Sequence, residues 1–110
     1  MVKEVLAELA AGKIKFADVL TVIDEQYTHA PVAFKNGVQY NNATENQGSA
    51  RVLYFAYLHK LSKEETLSLF AEHYQDVLNS PDAINHQNIR QFMKHGWSGV
   101  EFGGTALSPK

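Results

Sequence analysis

The stretch SARVLYFAYLHKLSKEETLSLFAEHYQDVL, residues 49–78, decides the fold. Its first half holds the longest apolar run of the chain, Val52 to Leu58, so a helix over about Ser49 to Leu61 has no wet face and belongs at the centre of the domain. Ser62 and Glu65 then form an S-x-x-E capping box, in which hydroxyl and carboxylate each satisfy a backbone N–H left free by the first turn. Beyond it Leu67, Phe70, Ala71, Tyr74, Val77 and Leu78 recur at helical spacing. This pattern predicts one helix to about Leu78, where Asn79, Ser80 and Pro81 break it.

Toward the N-terminus, Phe16, Val19, Leu20, Ile23 and Tyr27 repeat at three and four, predicting a helix over about Lys15 to Thr28 that Pro31 helps to end. Val2, Val5, Leu6 and Leu9, followed by Gly12, predict a shorter helix before it. Between Pro31 and Asn41 the apolar residues surround Asn36-Gly37, the dipeptide suited to a two-residue hairpin turn because both positions accept positive φ. Toward the C-terminus a helix spans about Asn85 to His95, with Ile89, Phe92 and Met93 inward and Gly96 as its cap. Val100 to Phe102 is then placed to join the hairpin as a third short strand. About five helices and a small antiparallel β-hairpin make a mostly α domain, an orthogonal bundle, with an all-α arrangement as the alternative.

Composition fits one domain over residues 1–110: 45% of the residues are apolar and 20% charged. A net charge of −2 gives no electrostatic reason to seek phosphate backbones or anionic lipid, so neither nucleic acid nor membrane is an expected partner. The seven-residue apolar run is far short of the ~20 residues that span a bilayer. Glu4 and Glu8 interrupt the N-terminal apolar positions, so no secretory signal is read there. The chain has no cysteine, which removes disulfides, thiolate metal sites and thiol nucleophiles together.

Nine of the 13 side-chain amides fall in two windows, Gln39 to Gln47 and Asn85 to Gln91. Amides so concentrated either read a polar ligand through paired donors and acceptors or tie turns and helix caps to the core. His86 and Arg90, four apart on the last helix, share a face on which imidazole and guanidinium can together hold a carboxylate or phosphate. Asp82, just ahead, is a partner for Arg90 or an N-terminal cap element. A hydrolytic triad of Ser49, His86 and Asp82 can be written, but no G-x-S-x-G elbow supports it. Trp97, directly after Gly96, either lids the core or walls a pocket beside Arg90 and His86. His73 reads as a solvated helix residue, and His29 and His59 as helix-end residues. No pair of histidines has metal-ligand spacing, so neither metal nor cofactor is expected.

Three segments, FKNGVQYNN from Phe34, NQGSARVLYFAYLHKLSKEETLSLF from Asn46 and DAINHQNIRQFMKHGWSGVEF from Asp82, resemble the HopJ type III effector family over nearly the whole chain. The resemblance implies a one-domain bacterial protein, cytoplasmic in the producing cell or passed into a host by a type III system. It carries over no catalytic residue. Its distinctive segments coincide with the amide windows, so the expected binding surface comprises Asn46, Gln47, Ser49, Asp82, His86, Gln87, Asn88, Arg90 and Trp97. The reading is a non-catalytic protein that binds another protein or a small polar ligand. The alternative is a small hydrolase or transferase using His86 as base.

Overall fold

The computed structural model describes residues 2–110 and contains six α-helices, one 3-10 turn and five short strands among them. α1 is Val2–Ala10, α2 Phe16–Gln26, α3 Gln47–Leu58, α4 Lys63–Ser68, α5 Glu72–Asn79 and α6 Gln87–His95. α3 lies at the centre, as its all-round apolar sequence requires, with Ala50, Val52, Leu53, Phe55 and Ala56 all buried. Tyr57 and Leu58, at its last turn, break that pattern: they are 56% and 40% exposed.

The capping box forms as expected, Ser62 Oγ accepting from the Glu65 N–H at 3.1 Å and Glu65 Oε1 from the Ser62 N–H at 2.9 Å. The helix it starts does not continue to Leu78. It stops at Ser68, and the chain turns at Ala71, whose φ of 52° and ψ of −123° are foreign to an L-residue, before α5 begins. Leu69 lies off the stripe of Leu67, Phe70, Tyr74 and Val77, yet it is fully buried. A straight helix cannot turn both sets inward, and the break lets it happen.

The second helix also ends earlier than its periodicity suggests. Tyr27 is already extended, and β1, Tyr27–His29, pairs antiparallel with β5, Leu107–Pro109. Tyr27 gains edge contact with Phe55 at 6.0 Å and a 2.9 Å hydrogen bond to His59, which tertiary packing supplies and helical spacing does not reveal. His29 is therefore a strand residue; His59 caps α3, as expected of a helix end.

The Asn36-Gly37 hairpin is present, β2 Phe34–Asn36 against β3 Gln39–Asn41, with Gly37 at φ +61°. A Cβ at Gly37 would run into the Gln91 and His95 side chains, so the position needs glycine twice over. β4, Val100–Phe102, pairs with the other edge of β2, giving the order β3-β2-β4. This sheet packs against α6 and sets where the amide windows meet.

Candidate functional site

The amides of both windows converge in the core. Asn36 Nδ2 donates to the Asn88 carbonyl at 2.7 Å and to Asn88 Oδ1 at 3.2 Å. Asn41 and Asn88 exchange amide bonds at 3.0 and 3.2 Å, and Asn46 Nδ2 donates to Asn41 Oδ1 at 2.8 Å. Asn36, Asn41 and Asn88 are buried, so these bonds offset the cost of taking amides out of water. Asn36 Oδ1 alone stays unpaired among the buried side-chain polar atoms described. The network clamps the hairpin to the starts of α3 and α6.

That clamp leaves a cleft of about 340 Å³ between the two helix starts, lined by Asn46, Gly48, Ser49, His86, Gln87 and Asn88, with Phe16, Phe70, His73 and Ile89. The residues preceding the helices, Asn46 and His86, are both left-handed, at φ 50° and 53°, and no side chain caps either helix. The rings of His73 and His86 lie 5.1 Å apart, and Phe16 meets His73 edge-on at 4.9 Å. His86 Nε2 contacts Asp76 Oδ2 at 2.9 Å, so a carboxylate orients the imidazole. The Ser49 hydroxyl has no hydrogen-bond partner among the described residues. No carboxylate is among the lining residues.

The structure thus brings Asn46, Ser49, His86, Gln87 and Asn88 to one place and leaves four of the expected residues out of it. Gln47 turns away, its amide bonded to the Val32, Asn42 and Glu45 carbonyls and its Oε1 to His29 and the Val32 N–H, pinning α3 to the neighbouring loop. Arg90 folds back on Asn85 and the Pro81 carbonyl, at 2.6 to 3.1 Å, and closes the loop before its own helix. Asp82 is exposed and pairs with neither Arg90 nor His86; Asp76 takes the latter place. The triad of Ser49, His86 and Asp82 is not formed.

Trp97 donates its indole N–H to the Leu61 carbonyl at 3.0 Å and packs edge-on against Phe92 at 5.0 Å, lidding the end of α6. Its open side faces a different groove from the one that His86 lines. The sequence missed His73 and Asp76. Helical spacing puts His73 off the apolar stripe of a continuous helix and gives Asp76 no signal of its own, whereas after the break at Ala71 His73 lines the cleft.

Glu72, at the start of α5, accepts the Phe16 N–H at 2.7 Å and so joins α2 to α5 beside the cleft. Burial, its largest single influence, pushes its carboxyl up. The Phe16 N–H, its own N–H, His73 and Lys15 together outweigh that and leave it below the ordinary carboxylate value. Burial lowers His59 below the ordinary imidazole value. Among the described residues no group of three or more His, Cys, Asp or Glu side chains is placed to hold a metal ion.

Fold and cleft together define a small, mostly helical protein with minor antiparallel sheets and a polar cleft between two helix starts. The chain belongs to the HopJ type III effector protein family, whose model it matches over residues 2–107. It is also similar to a solved structure, the crystal structure of VPA0580, a protein of unknown function: 42% identity, TM-score 0.91, covering 100% of this chain and 94% of that one. No curated protein matches significantly. No helix described is long and apolar enough to cross a membrane.

Proposed function

We propose that this HopJ protein is a non-catalytic binding protein whose cleft between α3 and α6 takes a small polar ligand bearing an anionic group. One observation carries the reading: the cleft gathers two helix starts without side-chain caps, two histidines and an unpaired serine hydroxyl, and no carboxylate lines it. The uncapped helix-start N–H groups and the Ser49 hydroxyl can donate to an anion, the histidine rings can do so through the nitrogens not bonded to Asp76, and the helix dipoles favour it. The working compartment under this reading is the bacterial cytoplasm, with transfer to a host implied only by the family name.

Titrating inorganic phosphate into the protein while following amide resonances tests this. Shifts should concentrate at Gly48, Ser49, Gln87 and Asn88 and saturate. Shifts scattered over the surface, or none, would overturn it.

The alternative, a hydrolase or transferase with His86 as base, draws on the Asp76 carboxylate that orients the ring. Such chemistry needs a nucleophile hydrogen-bonded to the base, and Ser49 makes no bond to His86. The non-catalytic reading is preferred for that reason.

A further inference from the structure

On another face of the molecule the last turn of α3, the 3-10 turn Gly96–Gly99 and β4 enclose a groove of about 690 Å³, within the size range of small-ligand sites. Its walls follow from local geometry. Tyr54 and Tyr57, three apart on α3, share a helix face, and Val100 and Phe102, two apart on β4, share a sheet face. Tyr57 sits among Tyr54, Phe102 and Trp97 with ring centroids 5.8 to 6.3 Å away, so the rings form one continuous surface, with Tyr57 56% exposed. Scattered apolar exposure is ordinary, whereas here the exposed Tyr57 ring adjoins three half-buried rings along a groove.

The polar groups of the groove are few and of one character. Lys60 lines it, and its side-chain ammonium forms no ion pair or hydrogen bond among the described residues, the backbone N–H alone being bonded, to the Tyr57 carbonyl. The hydroxyls of Tyr54 and Tyr57 have no hydrogen-bond partner there, and the Trp97 N–H is already spent on Leu61, leaving the indole to the groove as an apolar wall. The nearest carboxylate in sequence, Glu101, is directed by strand alternation to the opposite side of the sheet, where it stands across from Lys35. The groove therefore offers flat apolar walls, one cation and no anion.

We propose that this groove is a second, independent binding site for a small planar aromatic carboxylate, its rings against Tyr57, Trp97 and Phe102 and its carboxylate at Lys60. Aromatic surface supplies the contact area, and the ammonium selects an acid over a neutral or cationic compound of equal shape. The proposal stands apart from the phosphate reading, because the two sites share no residue.

The test uses 2-naphthoate, with 2-naphthalenemethanol, 2-naphthylmethylamine and cyclohexanecarboxylate as comparators, and follows the indole N–H resonance of Trp97, the sole tryptophan. Naphthoate should move that resonance saturably and leave Gly48 and Gln87 unmoved. The neutral alcohol should bind more weakly by up to about fivefold, the scale of one exposed charge contact, and the alicyclic acid more weakly for want of the aromatic contact. Lys60→Gln should erase the advantage over the alcohol, Lys60→Glu should reverse the preference toward the amine, and Tyr57→Ala should weaken every aromatic probe. Equal binding of acid and alcohol, an unchanged preference in Lys60→Glu, or no shift at millimolar naphthoate would each overturn the proposal. Lys60 and Tyr57 are both exposed, so these variants should fold, which dispersed amide spectra would verify.

Discussion

Asn41 and Asn88, 47 residues apart in the chain, face each other as a reciprocal amide pair: Asn88 Nδ2 donates to Asn41 Oδ1 at 3.0 Å, and Asn41 Nδ2 returns a bond to Asn88 Oδ1 at 3.2 Å. Each also serves a third amide, Asn46 on one side and Asn36 on the other. Asn88→Ala removes three side-chain hydrogen bonds, while Asn36 keeps the backbone carbonyl at position 88 and Asn41 keeps Phe34, Gln39 and Asn46 as partners. It should destabilise the fold by about 1–3 kcal/mol, since each lost hydrogen bond contributes about 0.5–1.5 kcal/mol net. Urea unfolding followed by far-UV circular dichroism reads the loss, and an unchanged midpoint would show that the network contributes nothing net.

Ala71 holds the turn between α4 and α5 at φ 52° and ψ −123°. Glycine takes that conformation without steric cost, and strained positions of this kind typically store about 1–3 kcal/mol. Ala71→Gly loses one partly buried methyl and gives back some chain entropy to the unfolded state, so the net gain should be near 1 kcal/mol, the order of such backbone effects. Ala71→Val, with a branched side chain at the same φ, should lose stability. Thermal unfolding of the pair checks the sign, and the order Val above Gly would refute the strain.

The two positions mark where sequence reading succeeds and where it stops. Local rules placed the Ser62 and Glu65 capping box and the Asn36-Gly37 hairpin, because each depends on neighbours within a few residues, whereas the strand at Val100 forms by pairing with the distant Phe34–Asn36. The break at Ala71 depends on burying Leu69 against distant side chains, a tertiary demand that overrides an unbroken helical stripe. Reading through it put His73 on the wet face, and no sequence signal singled out Asp76. The amide windows were visible as composition, and Asn46, Ser49, His86, Gln87 and Asn88 do share one cleft. Sequence spacing could not show that Arg90 would turn to its own loop or Trp97 to another groove, since side-chain direction at a helix end follows from packing.

His86 combines a structural cost with its place in the cleft, and His86→Gly separates the two. Its left-handed backbone, at φ 53°, favours glycine, while the exposed contact to Asp76 is worth at most about 1 kcal/mol. The opposing effects should leave stability within about 1 kcal/mol of the parent protein. Phosphate-induced shifts at Gln87 and Asn88 should weaken severalfold as an imidazole donor is lost. Intact stability with intact phosphate binding would remove His86 from the site, and a large stability loss would make it scaffold.

Glu72 ties pH to the same region. Its folded carboxyl sits below the ordinary value, held there against burial chiefly by the Phe16 N–H. As pH falls, the unfolded chain takes up the proton first, so the contribution of Glu72 is complete above the unfolded value of about 4.5 and disappears as pH drops through the folded one. Glu72→Gln keeps the shape and an acceptor oxygen but no charge. The parent should exceed the variant in unfolding free energy at pH 7, by less than about 1 kcal/mol because the group is largely solvated, and the gap should narrow as pH falls through the folded carboxyl's value. A gap that stays constant over this range would mean that the Phe16 hydrogen bond, not the charge, stabilises the junction of α2 and α5. Because Phe16 also lines the cleft, any loosening at low pH should appear as well in the His73 ring resonances.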